Sequence, residues 1–249
     1  MNIKVVANSA GIFAKVILAL QTVKHHCVTK GVSISDIESI YFESKPNIEN
    51  NLFDFALEQN ELPKYDITLQ SRKFKSYNKM FSDSDLPFFK VVFDKLVIKD
   101  SVLNRVDENI SEDTLGIHIR LTDMNTLHGG NYGIRDYNSY LKVINSVIKG
   151  NRDIKNIFVS SDNIESIDKL SKEFDIITNS DISNRNATEV DGTLYNKTLK
   201  ENHLEEKFWV DSFLDMISLA KCGRLVKGVS SLSNTSIIVS NTLKDVYYV

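Results

Sequence analysis

A chain of 249 residues has room for two domains of about 100–150 residues, each able to bury its own core. Apolar residues make up 42% and charged residues 25%, an ordinary globular composition. The formal net charge of -3 gives no general electrostatic reason to bind nucleic acid or an anionic membrane.

Two cysteines, Cys27 and Cys222, make neither a disulfide framework nor a metal set, so a reducing cytoplasm is the simplest compartment. The sequence carries no secretory signal. Its early apolar stretch, Ile12 to Val23, is broken by Lys15 and Gln21 and is too short to cross about 30 Å of hydrocarbon. No integral membrane segment is expected. With 10 glycines and 3 prolines, a loose interdomain linker is not expected either. Lys64, Arg72, Lys73, Lys75 and Lys79 form a local basic run against Asp66 alone, read first as a solvated face and second as a neighbour of an anionic ligand.

Ile3 to Ala7 opens the chain as a first strand, and Asn8 to Gly11 is a turn. From Ile12 to His25, apolar residues at 12, 13, 16, 17, 20 and 23 form the stripe of a helix packed on a sheet; Asn8 or Ser9 can cap it. Ser39 to Glu43 reads as a strand, followed by a helix near Leu52 to Gln59. Residues 64 to 110 show no clean period, and Phe88 to Val97 fits helix or strand. The apolar pattern is interrupted at Glu108, Glu112 and Asp113, which places a domain boundary near residue 112 and divides the chain into 1–112 and 113–249.

The second half alternates regularly. Leu115 to Arg120 is a strand and Asp136 to Ile148 a helix. Ile157 to Ser160 is a strand, after which Ser161 or Asp162 caps a helix reaching Phe174. Asp175 to Thr178 is a strand, Phe208 to Cys222 a helix, Leu225-Val226 a strand, and Leu232 to Leu243 mostly helix. This alternation predicts a parallel sheet covered on both faces.

Three segments carry candidate chemistry. In Gly116-Ile-His-Ile-Arg-Leu-Thr-Asp123, His118 and Arg120 share one side of a strand, opposite Ile117 and Ile119. Arg120 lies at the carboxyl end of that strand, where open α/β sheets bind ligands, and a guanidinium there can grip phosphate. The alternatives are a structural ion pair for Arg120 and a backbone-bonded core histidine for His118. In Phe158-Val-Ser-Ser-Asp-Asn163, Asp162 is either a helix cap or an acceptor for a nucleobase or ribose. In Leu225-Val-Lys-Gly-Val-Ser-Ser-Leu-Ser233, a strand runs into a helix start whose free N–H groups and hydroxyls suit a phosphate, or are simply serine-capped. The glycine-rich span and Lys-Ser/Thr ending of a P-loop are absent.

In this order, the three segments resemble those of the GDP-fucose-dependent fucosyltransferases, in particular the α-1,6-fucosyltransferases and the rhizobial nodulation members. His118-Ile-Arg-Leu-Thr-Asp123 is similar to the family's His-Val-Arg-Arg-Thr-Asp segment, and Ser161-Asp162-Asn163 to its Thr-Asp-Asp strand end. The stretch from Val210-Asp211 through Asp215 to Ser230-Ser231 is similar to its last block. The resemblance covers residues 113 to 243.

It implies two Rossmann-like domains facing a cleft, the GT-B arrangement, with an amino-terminal acceptor side and a carboxyl-terminal nucleotide-sugar side. It implies an inverting transfer of fucose, or a related deoxyhexose, from GDP-fucose to an oligosaccharide or glycan hydroxyl, with no metal and no cofactor. Arg120 would hold the β-phosphate and Ser230 and Ser231 would complete the cradle. Asp162 would face the guanosine, Asp215 would shape its pocket, and His118 would line it.

Two departures stand out. Leu121 occupies the place of a second arginine, and His128 stands where vertebrate-type members have a glutamate, which makes His128 the candidate general base. The chain looks like a bare catalytic unit without the coiled region, anchor or extra module of the Golgi enzymes. The alternatives are a transferase using another nucleotide sugar and a nucleotide-sugar-binding protein without turnover.

Overall fold

The computed structural model describes residues 1–7, 12–44, 51–59, 62, 64–71, 81–121, 136–179 and 205–249. The chain divides into two compact units, Met1–Asn104 and Arg105–Val249.

In the first unit, β1 (Asn2–Ala7), β2 (Ser39–Ser44) and β4 (Ile67–Gln70) form a parallel sheet of order β2-β1-β4. The helix α1 (Ile12–Lys30) joins β1 to β2. Ile3 and Val5 of β1, Phe42 of β2, and Val16, Ile17, Leu20 and Val23 of α1 are fully or almost fully buried. Each such side chain contributes about 1.5–3 kcal/mol on leaving water. The helix runs five residues beyond the expected His25. The residues proposed to cap it, Asn8 and Ser9, lie outside the described residues.

The helix expected near Leu52 to Gln59 is instead a 3-10 turn, Leu52–Phe55, followed by the short strand β3 (Leu57–Glu58). The reason is side-chain competition for backbone groups. The Asn51 amide donates to the Phe42 carbonyl at 2.8 Å and its oxygen accepts from Ser44 N at 2.9 Å, while Gln59 makes the matching pair to Phe42 O and N. Both amides are thereby spent on β2. The undecided stretch resolves as α2 (Leu86–Phe93), started by Pro87, then β5 (Val97–Ile98), which pairs antiparallel with β3. A one-turn helix, α3 (Asp100–Leu103), ends the unit.

The division falls between Asn104 and Arg105, ahead of the boundary read near residue 112. Val106 and Ile110 pack with Phe158, Leu219, Cys222 and Leu225, and the Asn109 carbonyl accepts from Asn156 Nδ2 at 2.8 Å. The charged residues that suggested a boundary sit on a segment held by the second unit through its apolar ones.

The second unit contains β6 (Thr114–Ile119), α4 (Tyr137–Gly150), β7 (Asn156–Ser161), α5 (Ile164–Ser171), α6 (Glu205–Lys221), β8 (Arg224–Lys227), α7 (Ser231–Val239) and β9 (Asp245–Tyr248). Its sheet is parallel throughout, of order β7-β6-β8-β9. Leu115, Ile117 and Ile119 face a cluster built with Tyr140, Ile144, Val147, Ile167 and Leu170 from α4 and α5. On the other face Phe158 and Leu225 meet Leu219 and Cys222.

Backbone there comes very close. A Cβ on Gly223 would fall 1.9 Å from the Glu112 carbonyl oxygen, and one on Gly116 would lie 3.0 Å from Cys222 Sγ. At the amino end of β8, buried Arg224 meets Asp153 at 3.0 Å and Asp245 at 3.7 Å.

Three expectations change here. Residues 175–178 reduce to an isolated bridge between Ile177 and Phe158. Asn163, not Ser161 or Asp162, caps α5, its Oδ1 accepting from Ser166 N at 2.8 Å. The last helix stops at Val239 because the Ser240 hydroxyl turns to the Ala220 carbonyl at 2.6 Å, and β9 follows instead of more helix.

Candidate functional site

Strand register assembles the site. Parallel pairing sets His118 of β6 against Ser160 of β7 and Lys227 of β8, and Lys227 against Tyr248 of β9. Registered neighbours point to the same face, so these side chains form one row near the carboxyl ends of the strands. Ser160, His118 and Lys227 are 3%, 4% and 2% exposed. A polar row so deep is unusual in a largely apolar sheet, because each group must be paired to offset its lost hydration.

Asp215 anchors one end of the row. It projects from α6, accepts from Ser160 Oγ at 2.8 Å and from Asn179 Nδ2 at 2.8 Å, and is almost wholly buried; Asn179 also reaches Ser218 Oγ at 3.2 Å. Asp215 therefore braces β7 from behind. One turn earlier on α6, buried Asp211 pairs with Arg105 at 2.5 Å.

Arg120 follows the last residue of β6, and Asp162 follows the last residue of β7. Their side chains approach to 4.0 Å and both are partly open to solvent. Asp162 Oδ1 also accepts from Leu121 N at 3.2 Å. Arg120 and Asp162 thus meet at neighbouring strand ends, and Asp162 also holds the chain where it leaves β6. Leu121 packs against the aliphatic cluster beneath α4 and α5.

Ser230 is the N-cap of α7, its buried Oγ accepting from Leu232 N at 3.2 Å, and the less buried Ser231 begins the helix. The β8–α7 loop starts at Gly228, where a Cβ would stand 2.3 Å from the buried Tyr140 hydroxyl. Only glycine lets the loop lie against that ring.

Sequence reasoning missed Lys227. Its Nζ donates to Asn234 Oδ1 at 2.5 Å in the first turns of α7 and lies 5.4 Å over the Tyr248 ring. A lysine ending a short strand reads as a solvated flank; only the pairing of β9 beside it reveals its burial.

His118, Arg120, Asp162, Ser230 and Ser231 thus gather at the carboxyl ends of β6, β7 and β8 and the start of α7, with Asp215 behind them. His128, with Thr122 and Asp123, lies outside the described residues. Among the described residues, no group of three or more His, Cys, Asp or Glu side chains is placed to hold a metal ion, and no helix is long and apolar enough to cross a membrane.

No family model matches the sequence, and no curated protein does. Solved structures do. The fucosyltransferase NodZ from Bradyrhizobium superposes with a TM-score of 0.57 at 11% identity, over 94% of this chain and 91% of that one. NodZ α-1,6-fucosyltransferase soaked with GDP-fucose gives 0.56 at 10% identity, over 95% and 92%. A variant of Arabidopsis thaliana FUT1 in complex with GDP gives 0.56 at 11%, over 98% and 70%. The chain has the fold of these fucosyltransferases. Its two parallel α/β units are those of the GT-B class, as the resemblance in sequence implies.

Proposed function

We propose that the chain is an inverting glycosyltransferase that moves fucose, or a related deoxyhexose, from its GDP conjugate to a glycan hydroxyl. The observation that carries this reading is Arg120, at the carboxyl end of a central parallel strand and beside a serine-capped helix start. It occurs in a fold shared with fucosyltransferases co-crystallised with GDP or soaked with GDP-fucose.

Departure of GDP develops negative charge on the pyrophosphate. A guanidinium and helix-start N–H groups, fixed before the reaction, stabilise that charge without reorganising. In this reading Arg120 holds the β-phosphate, and Asp162, beside its guanidinium, faces the guanosine end of the donor. Ser230 and Ser231 complete the cradle, His118 lines it, and Asp215 braces it through Ser160. His128 removes the proton of the acceptor hydroxyl. The reading includes transfer without a divalent metal and, with both cysteines free, a reducing cytoplasm.

The test is release of GDP from GDP-fucose with and without acceptor oligosaccharides, alongside calorimetric titration of GDP. GDP binding with acceptor-dependent release supports the transferase. Tight GDP binding with no release from any acceptor makes the chain a binding protein, and preference for another nucleotide sugar changes the donor. Chelator is expected to leave turnover intact; loss with rescue by a divalent ion rejects the metal-independent form.

A further inference from the structure

We infer that the outer edge of β2 is a latent strand-pairing surface, fitted to the β2 edge of a second copy of this chain and held shut by the side-chain amides of Asn51 and Gln59. In a parallel ladder every other residue turns its backbone groups away from the partner strand. Among the described residues β2 pairs only with β1, and Phe42 and Ser44 are the residues that turn outward. Gln59 meets Phe42 as a neighbouring strand would. Its Oε1 accepts from Phe42 N at 2.8 Å and its Nε2 donates to Phe42 O at 3.1 Å. Asn51 Oδ1 accepts from Ser44 N at 2.9 Å, and its Nδ2 also donates to Phe42 O, at 2.8 Å.

Asp54 fixes which way the two amides face. A carboxylate can only accept, and Asp54 Oδ1 takes an N–H from Asn51 Nδ2 at 3.1 Å and another from Gln59 Nε2 at 2.9 Å. Both amide oxygens are thereby turned to the N–H groups of β2, and a flipped amide would set like against like. Lys99 holds the turn that carries them, its Nζ donating to the Asp54 carbonyl and its backbone N–H to the Ala56 carbonyl at 2.9 Å. Without these side chains the edge would be a template for another strand. Ser39-Ile-Tyr-Phe-Glu-Ser44 is rich in residues that favour strands, and it complements itself. Antiparallel about a two-fold axis through Phe42, two copies would exchange both Phe42 hydrogen bonds and set Glu43 against Tyr41, with no like charges opposed.

The experiment is sedimentation velocity across a concentration series, with hydrogen exchange and thermal midpoints, on wild type, Gln59→Met and Asn51→Ala/Gln59→Met. Methionine keeps the length of the glutamine side chain without its amide. In wild type the Phe42 and Ser44 amides should be equally protected at every concentration. In the double variant that protection should fall roughly ten-fold in dilute solution and return as the concentration rises, together with a doubling of mass. Gln59→Met should lose protection at Phe42 and keep it at Ser44, where Asn51 still bonds. A folded double variant that holds the wild-type mass at every concentration would overturn the inference. So would association that protects other segments and leaves Phe42 and Ser44 exchanging. Unfolding of both variants without association would make the amides a structural clasp and overturn it as well.

Discussion

At the scale of single residues, the pairing of Arg120 with Asp162 decides how the site responds to substitution. With Arg120 holding the β-phosphate as proposed, Arg120→Ala would remove a charge-assisted contact worth about 1.5–3 kcal/mol, so GDP affinity measured by calorimetry should fall roughly 10- to 100-fold. Ser231→Ala should cost far less, because the backbone N–H groups of α7 remain. Asp162→Ala frees both the guanidinium and the Leu121 N–H and should weaken GDP several-fold; Asp162→Asn keeps an acceptor for that N–H and should weaken it less. Wild-type affinity in Arg120→Ala would reject the phosphate assignment. Gly228→Ala addresses packing: its methyl would collide with the Tyr140 hydroxyl, and overpacking costs about 1–3 kcal/mol, read as a lower urea midpoint.

At the scale of elements, α1 and α2 are tied by the ion pair between Lys24 and Asp85. Burial pushes the Asp85 carboxyl up, but hydrogen bonds from Lys24 and Ser82 outweigh it and hold it below its ordinary 3.8. A depressed carboxylate stabilises the fold above its unfolded value and loses that contribution as pH falls through its folded value. The thermal midpoint of Asp85→Asn should therefore lie below that of wild type at neutral pH, by an effect of about 1 kcal/mol or less, with the gap closing below about pH 4. In α5, Asn163→Ala removes the cap and should cost about 1 kcal/mol by urea denaturation.

What the sequence disclosed follows the same logic. β6, β7, α4 and α6 announce themselves because each buries a whole face or stripe, and burial writes a period into the chain. β9 does not, since Asp245, Val246, Tyr247 and Tyr248 form a four-residue edge strand with exposed ends. The turn at 52–59 is hidden for another reason: Asn51 and Gln59 act through contacts with Phe42 that no local pattern encodes. The positions of His118 and Arg120 at a strand end and of Ser230 at a helix start were legible. Lys227 and the Ser160–Asp215 brace were not, because they depend on which strands lie side by side.

At the scale of the molecule, the candidate donor residues lie within the unit Arg105–Val249. Saturating GDP should stabilise the native state by about 2.7 kcal/mol at one hundred times the dissociation constant. In hydrogen exchange the added protection should concentrate in the ends of β6 and β8 and the first turn of α7, and be weaker in β1 and β2. Even protection across both units would contradict a donor site built from those strand ends. Turnover tests the proposed base. With His128 as proton acceptor, the rate should rise through a pH near the imidazole value of about 6.5, and His128→Gln should abolish that limb. Near-full turnover in both His128→Gln and His128→Ala at saturating substrates would exclude it.

The charge on β8 has a consequence for folding. Pairing against β6 places Leu225 and Lys227 on one face and Val226 on the other, against Ile117 and Tyr140. A slip of one residue would exchange those faces and drive the ammonium into the aliphatic cluster. Lys227 thus proofreads the pairing of its own strand, penalising the very misalignment that a hydrophobic substitute would tolerate. Lys227→Met should refold with a larger fraction of kinetically trapped, mispaired chains even where its native state is the more stable.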